Sequence, residues 1–289
     1  MGVYLDCMDS PEHQRRAVFT DLDGTLLGPD QKLCARNRAT LEHLATLGIV
    51  RVVVTGRSLF SCDRVLDDTF PIDILVTSSG AGIFSCRPRT LLREFALDDA
   101  AMSHAVGVLE TMRLDFMVHD PVPDNHQFQW RRFGRPNADF DRRLALYAGH
   151  HQMLDSGSGL VSNATQLLAI APLDNPETLH RELSNRLPDL NVVRTTSPLD
   201  HCSVWYEIFP KSVGKSHAAQ WICDHLNLDS ATALAVGNDF NDVDMLRWAN
   251  HARVVANAAT PLRREFRSVA DHSESGFSDA VEEWLADSP

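Results

Sequence analysis

Two aspartates one residue apart carry the first suggestion of chemistry in this chain. In AVFTDLDGTLLG, Ala17 to Gly28, a short apolar run delivers Asp21 and Asp23 and then breaks at Gly24. Two carboxylates at one strand end can divide the work on a single substrate, one attacking as nucleophile while the other moves protons. Like charges held close repel, and a hard divalent cation relieves that cost. The competing reading of this segment alone is a strand end and an acidic turn.

Related groups recur elsewhere. VVTGR, residues 53–57, ends an apolar run with Thr55, Gly56 and Arg57. Their hydroxyl, backbone N–H and guanidinium could hold an anion, helped by the dipole of a following helix, and a simple strand-to-helix turn is the alternative. GNDFND, residues 237–242, brings Asn238, Asp239, Asn241 and Asp242. Lys215 stands beside Gly214 at the start of a helical pattern, the end of the dipole that disfavours a lysine kept only for solubility. Ligands of open parallel sheets bind beyond the carboxyl ends of the strands, so these ends are expected to meet. Asp21 and the Asn238/Asp239/Asp242 group suit Mg²⁺, which takes a few oxygen ligands plus water and substrate phosphate.

The elements that must position these groups are readable from periodicity. Residues 17–22 form a buried strand, residues 33–47 an amphipathic helix with Leu41, Leu44 and Leu47 on one side and Gly48 behind, and residues 49–54 a β-branched strand. A helix at 59–66 and a strand at 72–76 follow, and strand-helix-strand order favours right-handed crossovers and a parallel sheet covered on both faces. The pattern returns with a strand at 204–209, a helix at 215–226, a strand at 231–236, a helix at 243–248 and a strand at 253–256. A helix from Pro261 and the amphipathic GFSDAVEEWL close the chain. Between these halves, residues 85–198 have another texture: amphipathic at 100–114, polar and proline-bearing at 120–136, helix-like at 140–149, strand-like at 167–171. The reading is a doubly wound α/β domain, residues 1–84 and 199–289, with an inserted α+β unit at 85–198.

The totals exclude several function classes. A chain of 289 residues with 39 acidic against 27 basic residues, net charge −12, is a poor non-specific partner for nucleic acid or an anionic membrane, so a small molecule is the expected partner. HQFQWRRFGR, residues 126–135, alternates aromatic and basic residues, but without a matching basic stripe it reads as a lid contact or an ordinary strand. No run reaches eighteen apolar residues and the opening segment lacks a signal-peptide core. Gly2 is followed at the sixth position by Asp6 where myristoylation expects Ser or Thr. Cys7, Cys34, Cys62, Cys86, Cys202 and Cys223 show no zinc or redox spacing, which favours reduced thiols and a cytoplasmic setting. Thirteen histidines form no HExxH, no GxSxG elbow occurs, and GKS at 214–216 is no P-loop because position 209 is Phe.

Taken in order, DLDGT at 21–25, VVTGR at 53–57, Lys215 and GNDFND at 237–242 resemble the four motifs of the haloacid dehalogenase-like phosphohydrolases. SSGAGI at 78–83, WYEIFPKSVGKSHAAQWI, RVVANA and ESGFSDAVEEWL extend the resemblance to the Cof-type subgroup, with sucrose-phosphate and mannosyl-3-phosphoglycerate phosphatases as neighbours. It implies a Rossmann-like core with a C2-type α+β cap and a Mg²⁺-dependent phosphomonoester hydrolase acting on a small metabolite, a sugar phosphate above all. Asp21 would be the nucleophile, Asp23 the acid and base, Thr55, Gly56, Arg57 and Lys215 the phosphate holders, and Asp21, Asp23, Asn238, Asp239 and Asp242 the metal set. Asn241, Asn257, His119, Trp130 and Arg131 are the expected substrate contacts. The family usually has GDxxND, so Asn238 stands where a metal-binding Asp is expected; either its amide oxygen ligates or Asp239 takes the task. A sugar phosphomutase and a non-catalytic sugar-phosphate binder are the alternative functions.

Overall fold

The apolar run at Ala17 does become a central strand. The computed structural model describes residues 16–155, 159–171, 175–197, 199–200 and 202–287. Gly2, Asp6, Cys7, His13 and His201 lie outside them. In chain order the elements are β1 (Ala17–Thr20), α1 (Ala35–Thr46), β2 (Val50–Val54), α2 (Leu59–Cys62), β3 (Ile74–Thr77), β4 (Gly82–Cys86) and β5 (Arg89–Glu94). Then come α3 (Asp99–Thr111), β6 (Phe116–His119), β7 (Phe128–Arg131), α4 (Ala138–Leu146), β8 (His151–Met153), β9 (Gln166–Ala171), α5 (Pro176–Arg186), β10 (Leu190–Thr196) and β11 (Val204–Pro210). The last group is α6 (Lys215–Leu226), β12 (Leu234–Gly237), α7 (Val243–Trp248), β13 (His251–Val254), α8 (Thr260–Glu265), β14 (Arg267–Ser268) and α9 (Gly276–Asp287).

Two sheets result. The first runs β14-β13-β12-β1-β2-β3-β4-β5, parallel from β14 to β3 and antiparallel across its last two pairings. Helices cover both faces, which is why strands such as β1 are apolar throughout instead of alternating. Val18 packs toward Leu41, Leu44 and Trp284 of α1 and α9, while Phe19, the next residue, packs toward Ala219, Ile222 and Met245 of α6 and α7. Each such fully buried aliphatic or aromatic side chain is worth about 1.5–3 kcal/mol. The second sheet, β10-β11-β9-β6-β7-β8, is antiparallel except for β7 with β8. Its two faces are chemically distinct. Phe116, Val118, Leu167, Tyr206 and Ile208 pack with α3 and α5, whereas Met117, Phe128, Leu168 and Trp205 pack with α4 and with Phe60 of the core. The inserted sheet therefore turns one face toward the strand ends of the first.

The doubly wound core with an inserted α+β cap is the architecture read from the sequence, with its boundaries displaced. The expected cut at 84/85 falls inside β4, and β4 and β5 continue the core sheet as an antiparallel hairpin. At the other end β11, read as the first strand of the returning core, pairs with β9 and β10 in the cap. A fully buried strand looks alike in both sheets, because β11 is also covered on both sides; periodicity does not say which neighbour it will join. Among the described residues the five cysteines are free, and no helix is long and apolar enough to cross a membrane.

Candidate active site

The exit from β1 is built around Leu22. Its side chain is fully buried in the core, and its carbonyl accepts from the N–H groups of Leu26 and Leu27 at 3.1 and 2.9 Å, which closes the turn. Asp21 still pairs as strand, donating its N–H to Val236 at 2.9 Å. Gly24 takes φ +69°, and a Cβ there would lie 2.6 Å from the side-chain amide of Asn238, so both conformation and space require glycine. The Gly24 carbonyl accepts from Asn257 Nδ2 at 2.8 Å.

Lys215, the first residue of α6, reaches between two carboxylates. Its Nζ donates to Asp21 Oδ1 at 2.6 Å and to Asp242 Oδ1 at 2.5 Å, with all three groups buried. Burial pulls the ammonium down, but the two carboxylates outweigh it and hold Lys215 well above its ordinary range. One ammonium against two carboxylates leaves a negative charge in excess. Burial pushes Asp21 up to about 7; Lys215 opposes the shift, and Asp242 and Asp23 add to it. The second oxygen of Asp242 accepts the backbone N–H groups of Asn238 and Asp239 at 2.8 and 3.0 Å, so this carboxylate fixes the GNDFND loop and Lys215 together.

Asp23 is engaged by Arg57, whose Nε and Nη2 donate to its two oxygens at 2.7 and 2.6 Å. The remaining guanidinium N–H groups go to Ser61 and Gln31. Arg57, expected among the phosphate holders, thus has its fork filled by protein acceptors and sits against the proposed acid and base instead. Thr55 and Gly56 do lie at the strand end beside Asp21's strand. Thr55 Oγ1 accepts the Arg57 N–H at 3.1 Å, which leaves its own proton to donate. A Cβ on Gly56 would stand 3.6 Å from Ser79 Oγ and 3.9 Å from Asn241 Nδ2, so Ser79 and Asn241 flank the same spot.

The five residues expected to hold a metal separate by what their oxygens already do. Asp239 accepts from Phe240 N–H at 2.8 Å through one oxygen and from Thr195 Oγ1 and Thr196 N–H of the cap at 3.2 and 3.3 Å through the other. Asp242 and the carboxylate of Asp23 are committed as described. Asp21, bound by Lys215 through Oδ1 alone, and Asn238, whose Nδ2 is the atom set against Gly24, are the two that keep a side-chain oxygen uncommitted among the described residues. Among the described residues no group of three or more Asp, Glu, His or Cys side chains is gathered for a metal. A hard cation that keeps several waters and a phosphate oxygen needs no such cage, and the excess negative charge at Asp21 is what it would neutralise; the donor set fits Mg²⁺ on those terms.

The expected substrate contacts scatter. Asn241 borders the site, whereas Asn257, bound to Gly24 and to the His272 N–H, is a tether of the turn. Arg131 points to the helical face of the cap sheet, paired with Glu110 of α3, and is removed from the site. Trp130 is on the inner face but donates to His151 at 3.1 Å and packs edge-on to Phe140 within the cap. His119 is buried on that inner face, its Nδ1 2.8 Å from the Asn125 carbonyl. Sequence reasoning missed Ser79, whose hydroxyl donates to Glu207 of β11 at 3.2 Å and so connects the core to the cap beside Gly56. The paired serines of SSGAG, both at positive φ, were the available signal. A cleft of 320 Å³ opens between the sheets, bounded by Ser79, Asn191, Arg194, Lys215 and Asn241. A larger cavity, 530 Å³, lies at the sheet edge among Leu66, Phe70, Ile72, Cys86 and Arg89 and touches none of these groups.

Known proteins resemble this chain along nearly its whole length. A curated relative, the 5-amino-6-(5-phospho-D-ribitylamino)uracil phosphatase YwtE of Bacillus subtilis, is 22% identical over 300 residues, covering 94% of this chain and 98% of its own. The HMP-PP phosphatase of Klebsiella pneumoniae is 25% identical over 272 residues, covering 92% and 94%. Among solved structures, BT1666 of Bacteroides thetaiotaomicron, described among phosphatases of the haloalkanoate (HAD) enzyme superfamily, superposes with a TM-score of 0.75 at 17% identity, over 95% of this chain and 97% of that one. The sequence profile of haloacid dehalogenase-like hydrolases matches residues 18–283, nearly the whole chain. With four motifs converging on one end of a doubly wound sheet under an inserted cap, the chain belongs to the haloacid dehalogenase-like hydrolases, in their Cof-type phosphatase branch.

Proposed function

We propose that the protein hydrolyses a phosphomonoester of a small metabolite, of the sugar-phosphate class, in two steps through a phosphoaspartate on Asp21. A carboxylate oxygen of Asp21 attacks phosphorus, and the bond to the leaving oxygen breaks as Asp23 gives that oxygen a proton. Asp23 then takes a proton from the water that attacks the phosphoaspartate, inorganic phosphate leaves, and Asp21 is restored. For this Asp23 turns one oxygen from Arg57 toward the leaving group. Lys215 steadies Asp21 and stabilises the charge on the phosphoryl oxygens, with the Thr55 hydroxyl and Gly56 N–H as further donors. Mg²⁺, when bound, supplies the positive charge that lets one anion approach another, and Asp21 and Asn238 would hold it.

The observation that carries this reading is the buried Asp21–Lys215–Asp242 chain, two residues from a second carboxylate and at the edge of a cleft. The test is a panel of sugar phosphates and small phosphomonoesters, with and without Mg²⁺, read for inorganic phosphate and for isomerised sugar phosphate. Mg²⁺-dependent phosphate release that disappears in Asp21→Asn is expected. Release by that variant at the parental rate overturns the nucleophile, and an isomeric sugar phosphate in place of free phosphate makes the protein a mutase.

A further inference from the structure

The inner face of the cap sheet buries more polar atoms than the protein itself satisfies. His119 and Gln166 are direct neighbours across β6 and β9, and Glu207 follows on β11, all on the face turned to the core. Asn125 joins them from the loop before β7, donating through Nδ2 to Ser78 Oγ of the core at 2.6 Å. These four residues are 2–5% exposed. Yet His119 Nε2, Asn125 Oδ1 and Gln166 Oε1, together with Arg143 Nε of α4, have no hydrogen-bond partner. Buried polar atoms are nearly always paired, and leaving one unpaired costs about 1–3 kcal/mol. Four in one layer mark a place where partners come from outside the chain.

The orphaned atoms have a common character. The Asn125 carbonyl accepts from His119 Nδ1, so that nitrogen carries the proton and Nε2 is an acceptor; burial holds the ring neutral, its pKa pulled down to about 3. Asn125 Oδ1 and Gln166 Oε1 are acceptors, and beside them stands the Glu207 carboxylate, which accepts from the Ser79 hydroxyl and from the Gln166 side chain. Arg143 supplies the donor, its guanidinium 4.6 Å over Trp205 and 5.0 Å over Tyr147. Ser79 joins this layer to Gly56 and hence to the phosphoryl end of the site.

We propose that His119, Asn125, Gln166 and Glu207 are the specificity-determining residues of the cap, an acceptor array that selects a polyhydroxylated leaving group by its O–H donors, with Arg143 donating back to one of its oxygens. This rests on the phosphomonoesterase reading above. An alkyl leaving group of equal length would bury the same array unpaired, the circumstance in which a hydrogen-bonding site rejects an analogue most strongly.

The test compares D-glucitol 6-phosphate with n-hexyl phosphate, equal in chain length and charge. The parent protein is expected to favour the polyol ester at least tenfold in kcat/KM with Mg²⁺, and Gln166→Leu and His119→Phe are expected to bring that ratio toward one. A ratio near one in the parent overturns the proposal and means that ordered waters alone satisfy the array. Calorimetric binding of both esters to Asp21→Asn reads the same selectivity without turnover. If neither ester is hydrolysed but the polyol ester binds at least tenfold tighter, the array stands and the hydrolytic reading falls; equal binding sinks the array whatever the turnover. Should the variants not fold, the two ratios on parent and Asp21→Asn protein decide alone.

Discussion

Lys215 Nζ lies 2.6 Å from Asp21 Oδ1, an ammonium and a carboxylate brought together across 194 residues of sequence and both buried. The pair joins β1 to the start of α6, the segment where the chain returns from the cap, so the nucleophile and its cation come from opposite sides of the insertion. With Asp242 on the far side of the same nitrogen, the cluster is one charge too negative, an electrostatic strain that a bound cation or an incoming proton relieves.

That strain gives a pH signature. Asp21 holds its proton more tightly in the fold, up to about 7, than at the ordinary 3.8 of a free aspartate. The stability this contributes is fully present below 3.8 and is lost as pH rises through about 7. Metal-free protein is therefore expected to lose melting temperature across that window, and Asp21→Asn to flatten the profile and match or exceed the parent at pH 8. Activity should fall at least about a thousandfold in the same variant. Lys215→Met has the opposite effect on the fold, costing about 3–5 kcal/mol by leaving two buried carboxylates without a cation. Thermal melts from pH 4 to 8 in chelator check both; a parental pH slope in Asp21→Asn contradicts the charge assignment.

Asn238 and Asp239 are expected to answer differently to exchange. Asn238→Asp adds a charged oxygen next to the Asp21 turn and should tighten Mg²⁺ several-fold, read as the concentration for half-maximal activity and by calorimetry. Asp239→Asn removes a charge whose oxygens serve Phe240, Thr195 and Thr196, so Mg²⁺ affinity stays within about twofold while the contact between cap and core weakens. A large loss of Mg²⁺ affinity in Asp239→Asn alone would reverse the assignment.

Arg57 and Asp23 should separate the chemistry of departure from that of attack. Asp23→Asn is expected to slow hydrolysis of alkyl phosphates about a hundredfold or more, and that of p-nitrophenyl phosphate far less, because an aryloxide leaves without a proton. Arg57→Lys cannot reproduce the two-point grip on Asp23 and should lower kcat with little change in KM. A rise in KM at constant kcat would instead return Arg57 to the phosphate.

Much of the core was legible before folding. Strand ends announced themselves because a doubly covered parallel sheet needs uninterrupted apolar runs, and the chemistry-bearing residues stand just where those runs stop, at Asp21, Thr55 and Asn238. Helices α6 and α7 coincide with the helical stretches at 215–226 and 243–248 that follow the motif residues in the sequence. The cap was harder. Its strands are short and several are buried on both faces, so β11 reads in sequence as a core strand, and the alternation that sends Trp130 inward and Arg131 outward in adjacent positions is invisible until the sheet's two faces are known.

Sequence by itself determined the residue types at each strand end and the alternation of strand and helix that makes the core sheet parallel, since these follow from local periodicity and from the preference for right-handed crossovers. Tertiary structure alone decided what each oxygen does. Side chains at 23 and 57, 215 and 242, 195 and 239 choose one another through space. Those choices set Arg57 against Asp23 and Asp239 against the cap, because hydrogen-bonding capacity spent on one partner is withdrawn from every other.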